Sequence, residues 1–88
     1  MKGAEYFIDA LAHVPAETRK RVEYSMTVSD KIASILEKRK MSQKEFAAMI
    51  GHSEAEICRW LSGRHNFTLS TIAKISVALG EDIISVTL

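Results

Sequence analysis

Ser42-Gln43-Lys44-Glu45-Phe46-Ala47-Ala48-Met49-Ile50-Gly51-His52-Ser53-Glu54-Ala55-Glu56-Ile57-Cys58-Arg59-Trp60-Leu61-Ser62-Gly63 carries two helix starts and two helix stops in close succession. Ser42 and Glu45 have the Ser-x-x-Glu spacing of a capping box, in which a hydroxyl and a carboxylate satisfy each other's backbone N–H groups at a helix start. Phe46, Ala47 and Ile50 then recur at helical spacing, and Gly51 supplies the left-handed residue that ends a helix. Ser53 and Glu56 repeat the box almost at once, Ile57, Trp60 and Leu61 form the next apolar face, and Gly63 is the next stop. Two short helices joined by a tight turn are predicted.

Working outward, Val28, Ile32, Ile35 and Leu36 lie on one stripe of a longer helix running from Pro15, at its first position, to about Arg39, with Glu17 in the first turn. The amino-terminal half of that helix is polar and is expected to project from the core. Ahead of it, Ala4 to His13 reads as a short amphipathic helix, with Phe7, Leu11 and Val14 at helical spacing. Downstream, a Thr68 cap opens a helix carrying Leu69, Ile72, Ile75 and Leu79 on one stripe and closing at Gly80. Asp82 to Leu88 alternates, with Ile84, Val86 and Leu88 on one side, which marks a candidate short strand. The chain therefore divides into a helical extension (1–27), a helical core (28–80) and a tail (81–88) able to pair across a dimer axis.

Length and composition fit this plan. With 88 residues and 47% hydrophobic content, one modest core is affordable and two domains are not. The lone cysteine, Cys58, makes neither an internal disulfide nor a zinc site, and the compartment is expected to be reducing. Glu5 and Asp9 interrupt the first apolar run, so a secretory leader is not expected, and no run is long enough to span a bilayer. A cytoplasmic location is expected. Net charge is only +1, yet residues 29–67 hold seven basic against five acidic side chains, while residues 1–28 balance four against four. Lys38, Arg39, Lys40 and Lys44 cluster where one helix ends and the next begins, a pattern that solvated helix ends also show.

Two short helices around a glycine-bearing turn describe a helix-turn-helix, in which the second helix enters the major groove of double-stranded DNA; a plain helical hairpin has the same spacing. Met41 to Ala47, Ile50-Gly51 and Ile57 to Gly63 resemble the Xre/Cro-type, lambda-repressor-like helix-turn-helix family. The resemblance extends back through Val28 to Leu36 and forward to Ala78-Leu79-Gly80. It implies an all-α fold, a lambda-repressor-like bundle with an N-terminal helical extension and the candidate C-terminal strand. Trp60 to Thr68 further resembles the HigA-type antitoxins of that family.

The resemblance also implies roles for single residues. Gln43, with Lys44 beside it, would contact a phosphate from the start of the first short helix. Ser53, Glu54 and Ala55 would open the reading helix, and Arg59, able to pair bidentately with guanine or to hold a phosphate, is the strongest single candidate. Arg64 and Asn66 would meet the backbone from the following loop. Glu54 and Glu56 depart from the neutral or basic residues common there; capping is the stronger reading for Glu56, while Glu54 remains open between repulsion and an acceptor for cytosine. Trp60 and Phe67 read as core. His13, His52 and His65 are too scattered for a metal set, no nucleophile-base pattern exists, and neither an enzyme nor a cofactor is expected.

Three functions fit these features: an antitoxin that represses its own operon and blocks a small ribonuclease toxin, a stand-alone repressor, and a protein-interaction module with a weakened DNA surface. A homodimer is expected because one unit reads only a half-site. Partner contacts are expected through Phe7 and Leu11 on the extension and through Ile84 and Val86 on the tail.

Overall fold

The structure, a computed structural model, describes residues 14–87. Four helices make it up: α1 (Ala16–Lys38), α2 (Gln43–Ile50), α3 (Glu54–Leu61) and α4 (Leu69–Leu79). The expected helix over Ala4 to His13, including Phe7 and Leu11, lies outside the described residues, as does Leu88. Pro15 stands one position earlier than expected, as the N-cap of α1 (φ −55°, ψ 142°), with its carbonyl accepting from Thr18 and Arg19. Its ring fixes φ but leaves ψ extended, which suits the residue just outside a helix as well as the one just inside.

Burial in α1 begins at Ser25 and follows Val28, Ser29, Ile32, Ile35 and Leu36, the i, i+3, i+4, i+7 spacing of one helix face. The first two turns stay outside the core, and Val22, Tyr24 and Met26 remain substantially exposed. α1 ends in a Schellman motif: Met41 N–H donates to the Leu36 carbonyl (2.9 Å) and Lys40 N–H to that of Glu37 (3.1 Å). The residue that must turn left-handed here is Lys40, with φ 53°. A side chain in that conformation costs about 1–2 kcal/mol, which glycine avoids while losing more freedom on folding. Lys40→Gly is therefore expected to raise stability by roughly 0.5–1 kcal/mol, seen as a melting point higher by a few degrees; a lowered melting point would contradict this account.

Both capping boxes form. The Ser42 hydroxyl accepts from Glu45 N–H (3.0 Å) while Glu45 Oε1 accepts from Ser42 N–H (2.9 Å), and Ser53 with Glu56 repeats the exchange at 3.2 Å in each direction. Gly51 takes the left-handed stop at φ 77° that the turn between α2 and α3 needs. Phe46, Ile32, Ile35, Ile57 and Ile75, at most 2% exposed, fill the centre, with Trp60 and Leu79 beside them. The buried Ser29 hydroxyl donates to the Trp60 carbonyl, one of the carbonyls at the end of α3 that has no partner within its own helix, and so ties α1 to α3.

Two expectations are corrected. Leu69 is 76% exposed, because as the first residue of α4 it stands at the rim of the core, while Ile72, Ile75 and Leu79 carry the buried stripe. The tail forms no strand over residues 81–87. A strand needs an open edge to pair with, and a helical bundle offers none within the chain. Instead Ile83 N–H donates to the Ser76 hydroxyl (3.1 Å), Ile83 enters the core at 5% exposure, and Arg39 pairs with Glu81 at 2.8 Å. Ile84 (39%) and Val86 (77%), expected to share an apolar strand face, are left at the surface.

Candidate nucleic-acid interface

α3 is held by one side only. Ile57 (0% exposed) and Trp60 (4%) anchor it in the core, and at ~100° per residue Ala55 falls opposite the seam between them, with Arg59 and Cys58 on either side of it and Glu54 at the edge of that face. All four of these side chains are exposed. The Arg59 guanidinium makes no hydrogen bond or ion pair to any described residue, and the Glu54 carboxylate likewise has no partner among the described residues. Ser53 is occupied as the α3 N-cap.

Gln43 and Lys44 are exposed in the first turn of α2. The loop after α3 is shaped locally: the Ser62 hydroxyl donates to the Arg59 carbonyl (2.7 Å) and accepts from Arg64 N–H (3.2 Å). His65 turns inward against Phe67 (ring centroids 4.7 Å apart, near-perpendicular) and lies 6.4 Å from the Trp60 ring, leaving Arg64 and Asn66 exposed on either side of it. Asn66 also borders an apolar groove of about 490 Å³ between α1, the start of α4 and the tail, whose lining includes Tyr24, Phe67, Leu69 and Ile84.

Glu56 does not point freely from α3. Its carboxylate accepts from Ser53 N–H and, at 2.8 Å, meets His52 Nδ1, and His52 Nε2 lies 3.1 Å from Lys74 Nζ on α4. The His52 hydrogen bond, and after it the Ser53 backbone N–H, hold the Glu56 carboxyl down from 4.5 to about 2. Glu45 is lowered too, by the Ser42 backbone N–H first. Because the folded value of Glu56 lies below the unfolded one, its contribution is fully present above about pH 4.5 and is lost as pH falls toward 2. The melting-point gap between the native chain and Glu56→Gln is accordingly expected to close across that window, and a constant gap would place the stabilisation elsewhere.

In the sequence His52 stands out only as a metal-ligand candidate that is set aside, and Lys74 does not stand out. The i, i+4 spacing of His52 and Glu56 was a readable signal, whereas Lys74 lies 22 residues away from His52 and only the packing of α4 brings it in.

Two capped helices about a left-handed glycine, the second anchored by one face and presenting the other, define a helix-turn-helix DNA-binding domain. A helix-turn-helix family model matches residues 32–85, more than half of the chain, and the chain belongs to that family, the Xre or lambda-repressor-like class of DNA-binding transcriptional regulators. Comparison with curated proteins and with solved structures returned no match. Among the described residues no helix is long and apolar enough to cross a membrane.

Proposed function

We propose that the chain is a sequence-specific repressor that binds duplex DNA as a homodimer through α3, and that it is the antitoxin of a type II toxin–antitoxin pair, repressing its own operon. The observation that carries the DNA reading is the one-sided anchoring of α3, which leaves Arg59, Ala55 and Cys58 on a continuous outward face with Glu54 at its edge. Arg59 reads a base edge, while Gln43, Lys44, Arg64 and Asn66 hold the phosphate backbone around it. Ser53 contributes by fixing the start of α3.

A single unit covers one half-site, so a second copy completes the operator. The surface favoured for pairing carries Leu69, Val77, Ile84 and Val86, exposed apolar side chains on α4 and the tail that take no part in the reading face. The antitoxin reading rests on the resemblance of Trp60 to Thr68 to HigA-type antitoxins and on a segment, residues 1–27, all of which precedes the family match and which would offer Phe7 and Leu11 to a small ribonuclease toxin.

Titration of a duplex spanning the chain's own promoter, with the mass of the complex followed by light scattering, tests the first part. Two chains per site and an affinity that falls steeply with salt are expected. Absence of duplex binding at any salt would leave only an interaction module. Neutralisation of the neighbouring gene's ribonuclease tests the second part, and a neighbour without such activity would leave a stand-alone repressor.

A further inference from the structure

The arrangement behind the reading face carries more than a helix cap. Glu56 and Arg59 are i, i+3 neighbours on α3, a spacing at which a carboxylate and a guanidinium reach each other on a helix surface. No such pair forms, and the reason is visible. One oxygen of Glu56 accepts from the Ser53 N–H and hydroxyl, and the other is engaged by His52. His52 is itself fixed from two further sides. Its ring packs against the buried Trp60 (centroids 4.9 Å apart), and Lys74 approaches its Nε2 from α4. An ammonium group only donates, so Nε2 must carry the lone pair and Nδ1 the proton, which is the tautomer that donates to Glu56.

We propose that His52, backed by Lys74, is a positioning residue for DNA recognition: it holds the Glu56 carboxylate in the cap and off Arg59, so that the guanidinium stays available to DNA. The arrangement also withdraws a negative charge from a face that must approach phosphates. This rests on the reading that Arg59 contacts DNA, and the test separates the two.

Binding of the full chain to a duplex spanning its own promoter is measured for His52→Ala, His52→Gln, the double variant His52→Ala with Glu56→Gln, and Arg59→Ala, with melts confirming that each is folded. His52→Ala frees the carboxylate and is expected to weaken binding about 1.5- to 5-fold at low salt, with a smaller loss at higher salt where the released charge is screened. Adding Glu56→Gln should restore affinity, because a glutamine still serves the capping box and carries no charge. His52→Gln keeps a donor for Glu56 and should bind like the native chain.

A double variant as weak as His52→Ala, or a folded His52→Gln as weak as the alanine, would overturn the proposal, since the loss would then come from the missing imidazole and not from the released carboxylate. Native-like binding by His52→Ala would overturn it equally. Those outcomes leave the reading of Arg59 intact so long as Arg59→Ala is weakened; an Arg59→Ala chain that binds normally removes that reading and the proposal together.

Discussion

Trp60→Ala is expected to lower stability by about 3–5 kcal/mol, in a chain of a size that holds only roughly 4–13 kcal/mol in all. Trp60 is 4% exposed and lies among Phe46, His52, His65 and Phe67, at centroid distances of 6.3, 4.9, 6.4 and 6.4 Å. Truncation opens a cavity where α3, the turn before it and the loop after it converge, and a chain this small cannot close such a gap by shifting backbone. The same residue's carbonyl is the acceptor for Ser29, so disorder at position 60 also loosens α1 from α3. Urea titration should show a midpoint far below that of the native chain, and a midpoint close to the native one would show that the cluster is not the keystone of the core.

Arg59→Ala should do the reverse, sparing the fold and weakening specific DNA binding by about 1–3 kcal/mol, or about 5- to 150-fold. The side chain is exposed and engages no described residue, so its removal leaves no buried group unpaired. A bidentate base contact should also relax discrimination at one base pair, whereas a phosphate contact would weaken all duplexes alike. Binding to a panel of single-base operator variants distinguishes the two, and undiminished affinity with an unchanged melt takes Arg59 out of the interface.

The helix-turn-helix was legible because its determinants are local. Ser42 with Glu45, Ser53 with Glu56, and the glycines at 51, 63 and 80 each fix backbone within four residues of themselves, and the apolar spacings on α1 through α4 follow from helical geometry. What was misread depends on partners distant in sequence. The alternation from Asp82 onward has the period of a strand, but the Ser76 hydroxyl captures Ile83, which lies off the expected apolar side, and seats that one residue in the core. Leu69 has the right spacing for the buried stripe and the wrong place, at the rim of the bundle. For the interface, the outward positions of α3 could be read from Ile57 and Trp60, while the restraint on Glu56 could not, since its outer support comes from Lys74 on another helix.

The fastening of α3 at both ends bears on how it meets DNA. Eight residues are too few for a helix to persist in water on its own. Its carboxyl end is held by a hydroxyl from α1, and its amino end is backed by α4 through His52. Fraying one residue at a time is thereby closed off, and the amide protons of α3 should exchange with solvent only when the whole domain opens. If α3 reads DNA as proposed, it arrives at the groove already ordered, its conformational entropy lost during folding rather than at the encounter, so that little of the interaction with bases is consumed in shaping the helix that makes it.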